Sequence, residues 1–110
     1  MEVTETRQHG ILVLGLRGRL DSTTSEGFEK TLLGSVRQGE TRLVLDFEEL
    51  EYISSAGLRV LLKAAKEVKS SEGKIALCAV RDYIKEVFEM SGFVSFLPIH
   101  STIEDSLKAV

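Results

Sequence analysis

Apolar residues occur along the chain in two alternating patterns, short continuous runs and runs with helical spacing. Continuous runs of strand length lie at 11–16, 42–47 and 75–80. Between them, apolar residues recur every three or four positions, as at Phe28 and Leu32, which is the spacing of one helix face. Strands that alternate with helices predict an α/β fold, in which helices pack against a mixed β-sheet of about four to five strands.

The predicted elements begin with a hairpin and then alternate between helix and strand. Predicted strands cover 3–8, 11–17, 42–47 and 74–80, and predicted helices begin near 23, run from 54 to about 70, and cover 82–90 and 102–109. His9 and Gly10 predict the tight turn of the hairpin. Thr23 and Glu26 have the spacing of a capping box at the start of the first helix. A short apolar run at 93–99 contains the only proline.

Two serines, Ser54 and Ser55, stand where a predicted strand gives way to a helix. A phosphate on a hydroxyl at that place would meet free backbone N–H groups and the positive end of the helix dipole. Serine is also a favoured N-cap residue, so a serine pair before an amphipathic helix is by itself more often structural than regulatory. No Glu or Gln follows either serine at the offset of a capping box. The local sequence therefore leaves a regulatory and a structural interpretation open.

Two residues near the serines add to the regulatory interpretation. Gly57 lies in the first helical turn, where glycine costs up to about 1 kcal/mol relative to alanine, and its missing side chain would leave the serines open to a partner. Asp21 ends the second predicted strand, and its carboxylate would lie near the serines if that strand lies beside 42–47. A carboxylate stabilised by the dipole of the first helix is an equally good explanation of Asp21.

Length and charge narrow the classes of protein. The chain has 110 residues, which suits one domain over 1–110, and we expect a monomer. A formal net charge of −3 and scattered basic residues argue against direct nucleic-acid binding. No apolar stretch approaches the ~18–20 residues of a membrane span, and the first residues lack a secretory leader. We therefore expect a cytoplasmic protein with no membrane partner.

Cofactor and metal chemistry find little support. His9, His100 and the single Cys78 are far apart in sequence, so they form no evident zinc set or Cys/His nucleophile. Cys78 lies in an apolar run, which predicts a buried thiol. The acidic group at 46–51 is expected to be a solvated turn rather than a cation site. The glycines match no phosphate-binding loop, and we expect no cofactor, metal or catalytic residue.

Three motifs occur in the order found in a known family. They are Gly18-Arg19-Leu20-Asp21, the run from Leu43 to Phe47 continuing through Tyr52-Ile53 to Ser54-Ser55-Ala56-Gly57-Leu58, and Phe88-Glu89-Met90-Ser91-Gly92-Phe93. Over nearly its whole length the chain resembles the stand-alone STAS domains, specifically the bacterial anti-sigma factor antagonists of the SpoIIAA and RsbV type. The resemblance implies a single STAS domain.

The resemblance also implies partner switching. In that family the unphosphorylated domain binds an anti-sigma factor that is itself a serine kinase, which frees a sigma factor, and phosphorylation of one serine ends the binding. A serine phosphatase is the further implied partner. Alignment on Gly57-Leu58 places the acceptor at Ser55, with Ser54 as the alternative, where many members have Asp. The implied partner-binding residues are Asp21, Ser54, Ser55, Ala56, Gly57 and Leu58.

Two other classes of function compete with this prediction. STAS-like domains also serve as subunits of lipid-transport assemblies, as parts of anion transporters and in stress-sensing complexes, without a sigma factor. An enzyme, such as one that slowly hydrolyses nucleotides near Asp21 and Ser55, is less favoured because no phosphate loop or metal set accompanies these residues. We therefore expect a binding protein and not an enzyme.

Overall fold

The computed structural model describes residues 1–92 and 95–110, in which one β-sheet carries helices on both faces. The elements in chain order are β1 (Glu2–Gln8), β2 (Ile11–Leu20), α1 (Ser25–Arg37), β3 (Arg42–Ile53), α2 (Ser55–Ser70), β4 (Lys74–Cys78), α3 (Asp82–Ser91), β5 (Ile99–His100) and α4 (Ile103–Ala109). The predicted α/β class is confirmed, and the sheet has five strands. The predicted apolar run at 93–99 lies partly outside the described residues, as does the last residue of the third motif, Phe93.

The five strands lie in the sheet in the order in which they occur along the chain. β1 pairs with β2 in antiparallel fashion, and the remaining neighbours pair in parallel. The hairpin turns at His9 and Gly10, whose φ angles are 55° and 78°, as a tight primed turn requires. Helical connections join the parallel strands, so β2 and β3 both end at the same edge of the sheet.

The core has two layers of unequal size. The larger layer packs α1, α2 and α3 against one face of the sheet, through residues such as Phe28, Leu61 and Phe88. The smaller layer packs α4 against the other face, where Val13, Val44 and other apolar residues are buried. The first part of the interior strand β2 is thus covered on both faces, as its continuous apolar run predicts. The ends of β2 and β3 are less covered, since beyond Leu16 and Phe47 only Leu20, Leu50 and Ile53 are buried.

Two strands, β2 and β3, are much longer than predicted. β2 continues to Leu20 and β3 continues to Ile53, well beyond the predicted ends at 17 and 47. The extensions pair with each other through two register irregularities, and the buried positions Leu50 and Ile53 are separated by two exposed residues. The acidic group at 46–51, which we expected to be a turn, therefore lies in a strand. Its pattern lacks the period of two by which a strand is recognised in sequence.

The predicted capping box at Thr23 and Glu26 is wrong. α1 begins two residues later than expected, at Ser25, and its N-cap residue Thr24 makes no side-chain capping bond. The hydroxyl of Thr23 instead donates to the Asp21 carboxylate at 2.7 Å. The side chain of Thr24 donates to the Arg19 carbonyl at 2.9 Å. The two threonine hydroxyls thus bond to the Asp21 carboxylate and the Arg19 carbonyl, and neither caps the N–H groups of α1.

The other boundaries follow the prediction closely. β4 ends at Cys78 because Ala79 adopts a left-handed φ of 54°, so the strand is two residues shorter than predicted. Within the described ranges, no helix is long and apolar enough to cross a membrane.

Candidate functional site

The two serines lie where β3 ends and α2 begins, beside the end of β2. Leu20 and Ile53 are paired in the last register position of the two strands. One residue on, the backbone N–H of Ser54 donates to the Leu20 carbonyl at 2.9 Å. Because parallel strands end at one edge, the turn after β2 and the start of α2 are neighbours. This edge is where open α/β sheets place their functional groups.

Ser54 is the N-cap residue of α2. Its backbone is extended, and its hydroxyl oxygen accepts a hydrogen bond from the Gly57 N–H at 3.3 Å. Its carbonyl accepts the first helical bond, from the Leu58 N–H at 3.0 Å. The side chain is partly buried. The capping role that the sequence left open therefore belongs to Ser54.

Ser55 is the first residue of α2, and it is exposed. Among the described residues, its hydroxyl takes part in no hydrogen bond, in contrast to that of Ser54. The first turn of the helix contains no acidic residue. An exposed hydroxyl without a structural bond, next to helix N–H groups, is chemically suited to accept a phosphoryl group.

Gly57 and Leu58 face inward, although they belong to the motif that the resemblance links to partner binding. Both are buried, and Leu58 is only 6% exposed. A Cβ added to Gly57 would lie 2.7 Å from the Leu20 Cγ and 3.0 Å from the Ile53 Cγ1. The missing side chain thus makes room for the strand ends, which differs from our interpretation that it opens the serines to a partner.

Asp21 occupies the turn between β2 and α1. Its carboxylate accepts hydrogen bonds from the N–H and hydroxyl of Thr23, at 2.9 and 2.7 Å, and lies 3.6 Å from the Arg19 Nε. The bonds from Thr23 hold the pKa of the Asp21 carboxyl below its ordinary value. In the part of the chain that the structure describes, these bonds stay within the turn and none reaches Ser54 or Ser55. The backbone brings Asp21 to the junction, while the carboxylate orders its own turn.

A cation–π pair beside the serines, formed by Arg19 and Tyr52, was missed by the sequence analysis. The Arg19 guanidinium lies over the Tyr52 ring, 4.3 Å from its centroid, which is cation–π geometry. The two residues are register partners in the extended parts of β2 and β3. Because these extensions were not predicted, the sequence analysis did not predict that the two residues are in contact. The signal that could have found the pair was an aromatic residue among the acidic ones just before the serines.

A surface groove between α1 and α2 lies next to Ser55 and was also missed. It has a volume of about 380 Å³. Its lining residues come from both helices and the turn before α1: Ser22, Ser25, Glu26, Glu29, Ala56, Arg59, Val60 and Lys63. Lys63 and Glu29 form an ion pair across it, at 3.4 Å. The groove could have been found only from the pairing of the two helices, which the hydrophobic pattern does not specify.

Neither a metal-binding cluster nor a reactive thiol is found among the described residues of the serine junction. Across residues 1–92 and 95–110, no cluster of three or more His, Cys, Asp or Glu side chains could hold a metal ion. Cys78 is buried, as predicted, and burial raises the pKa of its thiol to about 12, with a smaller contribution from Asp46. The thiol is therefore protonated at neutral pH. What the candidate site offers is a hydroxyl, a carboxylate and a set of surface charges.

Comparison with known proteins agrees with this architecture. BtrV from Bordetella bronchiseptica, whose name assigns it provisionally to the anti-sigma factor antagonists, is 40% identical over 99% of this chain and 94% of its own length. The structure of an anti-sigma-factor antagonist STAS domain protein from Planctomyces limnophilus gives a TM-score of 0.88 at 26% identity, covering 97% of this chain and 96% of the other. The Bacillus cell fate determinant SpoIIAA in its phosphorylated form gives a TM-score of 0.77 at 22% identity, covering 98% of each chain, and this likeness shows a shared fold.

The family model that matches is that of the STAS domain, over residues 2–106. This match spans both strand ends, the serine junction and the helices on each face of the sheet. The resemblance inferred from the three motifs is thus confirmed, and the chain belongs to the STAS domain family.

Proposed function

We propose that this chain is an anti-sigma factor antagonist that works by partner switching. In its unphosphorylated form it binds an anti-sigma factor serine kinase and so frees a sigma factor. Phosphorylation of Ser55 ends the binding, and a serine phosphatase restores it. The observation that carries the proposal is the exposed and unbonded hydroxyl of Ser55 at the start of α2, in a STAS domain that is 40% identical to BtrV.

The neighbouring hydroxyl supports Ser55 rather than Ser54 as the acceptor. A kinase must bring the acceptor oxygen in line with the γ-phosphorus of ATP, which requires an accessible side chain. Ser54 is partly buried and its oxygen bonds the Gly57 N–H, whereas Ser55 is exposed. The transfer forms a bond between Ser55 Oγ and the γ-phosphorus, breaks the bond to ADP and releases the hydroxyl proton.

The start of α2 can accommodate the phosphate without refolding. The first N–H groups of a helix have no partner inside the helix. The Gly57 N–H is already bonded to Ser54, which leaves those of Ser55 and Ala56 to face a phosphate on the Ser55 side chain. The dipole at this end favours negative charge. The phosphorylated structure of SpoIIAA has the same fold as this chain, which supports a switch that acts at the surface.

The change in binding then follows from charge and bulk. A phosphate adds about −1.5 to −2 charges at neutral pH. After phosphorylation, a partner that docks on the unmodified hydroxyl would face a bulky dianion at its interface. A loss of about 3 kcal/mol of binding free energy weakens the affinity roughly a hundredfold, which is sufficient to redirect a shared partner.

The proposal assigns different tasks to the residues of the site. Asp21, Ser54, Ser55 and Ala56 form the surface that the kinase contacts, since each is at least partly exposed. Gly57 and Leu58, which are buried, fix the close approach of α2 to the strand ends and so position that surface. A binding task for the chain requires no catalytic residue of its own.

A pull-down from lysate of the native host tests the proposal. The baits are the wild-type chain, Ser55→Ala and Ser55→Asp, with Ser70→Asp as the matched control, which adds the same charge at an exposed serine at the other end of α2. We expect mass spectrometry to identify an ATP-binding serine kinase in the eluates of all baits except Ser55→Asp. Recovery of lipid-transport or stress-sensing subunits in equal amounts by all baits, whatever residue stands at position 55, would contradict the proposal.

A further inference from the structure

Arg59 differs from the other arginines of the chain because, among the described residues, its guanidinium forms neither an ion pair nor a hydrogen bond. The others pair with carboxylates or donate to backbone carbonyls: Arg7 with Glu40, Arg17 with Glu2 and Glu49, Arg19 with Asp21, Arg37 with Glu67, Arg42 with the Val110 carbonyl, and Arg81 with the Glu48 carbonyl. The side chain of Arg59 is exposed.

The position of Arg59 on α2 sets it beside Ser55. Residues four apart in a helix are neighbours on its surface, with Cβ atoms about 5–6 Å apart. The Cα–Cβ bonds of a helix tilt toward its N-terminus, so a long side chain covers the preceding turn. A long side chain at position 59 can therefore reach back over the helical turn that contains Ser55. It also lines the groove that contains Ala56.

The nearby carboxylates leave Arg59 free. Two of them, Glu26 and Glu29 on α1, line the same groove. Glu29 pairs with Lys63 at 3.4 Å, and Glu26 lies 4.0 Å from Lys30 on its own helix. Asp21 is held by Thr23 and Arg19. The unmodified protein thus displays an unpaired guanidinium one helical turn along α2 from the hydroxyl that we propose as the phosphate acceptor.

We propose that Arg59 is the internal counter-ion of phosphorylated Ser55. This inference rests on the proposed function, since it requires that Ser55 be the modified residue. Guanidinium and phosphate form short, charge-assisted pairs with two parallel hydrogen bonds. Phosphorylation then changes the surface twice, because it adds a dianion and also withdraws an exposed cation from any partner carboxylate. The pair holds the phosphate over the start of α2 in its fully ionised form.

The test is a ³¹P NMR titration of the full chain with phosphoserine incorporated at position 55 during translation. A nearby cation stabilises the dianion and lowers the second pKa of the phosphate, which is about 6 in an ordinary phosphoserine. We expect Arg59→Gln to raise this pKa by about 0.3 to 0.7, and Arg59→Lys to raise it less. The matched control is Lys66→Gln, which removes an exposed cation of α2 about two helical turns beyond Arg59 and should have a much smaller effect.

Two results would overturn the inference. One is an unchanged phosphate pKa in Arg59→Gln, and the other is an equal rise in Lys66→Gln, which would indicate a general effect of net charge. Circular dichroism of each variant shows whether α2 remains folded. Because the phosphate is introduced during translation, the titration does not depend on a kinase. A host kinase that leaves Ser55 unmodified would contradict the proposed function, while the titration would still decide the role of Arg59.

Discussion

At the scale of single residues, the two adjacent serines differ in what their hydroxyls do. The oxygen of Ser54 accepts a hydrogen bond from the Gly57 N–H, so it stabilises the start of α2. The hydroxyl of Ser55 is exposed and contributes no such bond among the described residues. One serine therefore belongs to the fold and the other is available for modification, although their sequence contexts are nearly the same.

This difference predicts unequal effects on stability. We expect Ser54→Ala to lower the free energy of unfolding by about 1 kcal/mol, since it removes the N-cap bond. Ser55→Ala should change it by less than about 0.5 kcal/mol, as for other exposed positions. Urea denaturation followed by circular dichroism measures both. Equal losses in the two variants would show that Ser55 also carries a structural bond, and would weaken its assignment as the free acceptor.

At the scale of elements, the site depends on how closely α2 approaches the ends of β2 and β3. Gly57 is the contact point, because an added Cβ would lie 3.0 Å from the Leu20 carbonyl oxygen and closer still to the Leu20 side chain. The Ser54 N–H bonds to the same carbonyl. The junction of one helix and two strands therefore holds both serines in place.

The close approach predicts that Gly57→Ala is destabilising, although alanine is the better helix former. We expect a loss of about 1 to 3 kcal/mol from overpacking against Leu20 and Ile53. Gly34 in α1 is the matched control, since an added Cβ there meets no atom within 4 Å. Gly34→Ala should stabilise the protein by up to about 1 kcal/mol. Thermal unfolding of the two variants should therefore shift in opposite directions, and a stabilising Gly57→Ala would contradict the packing described.

The hydrophobic pattern predicted most of the elements but not the ends of the strands that form the site. Helices α2 and α3 follow from apolar spacing, because each buries one continuous face. The end of β3 carries two pairs of exposed residues, one on each side of Leu50. The pairing with β2 that stabilises this end depends on residues about thirty positions away. A local pattern cannot show such a non-local contact.

At the scale of the whole molecule, the motifs identified the family, while the surface came only from the packed structure. Ser55 and Asp21 were predicted from the resemblance, and their assignment to the partner surface remains a prediction. The contact between Arg19 and Tyr52 and the unpaired state of Arg59 depend on which charges meet after folding. The sequence shows which side chains are charged, but it does not show which of them form ion pairs in the folded protein.

Phosphorylation of Ser55 would make the molecule more negative, and the added charge would lie at one place on its surface. The unmodified chain carries a formal charge of −3, and phosphorylation would make it about −4.5 to −5. The added charge is concentrated at one exposed position at the start of α2. A partner that docks there experiences nearly the whole change, whereas the buried core on both faces of the sheet experiences little of it.

The central claim is that phosphorylation of Ser55 ends binding to the kinase while the fold persists. Isothermal titration calorimetry tests it most directly, with the purified kinase and two forms of the full chain, unmodified and carrying phosphoserine at 55. We predict that the phosphorylated form binds at least roughly a hundredfold more weakly, with an unchanged circular dichroism spectrum. Equal affinities of the two folded forms would contradict the account.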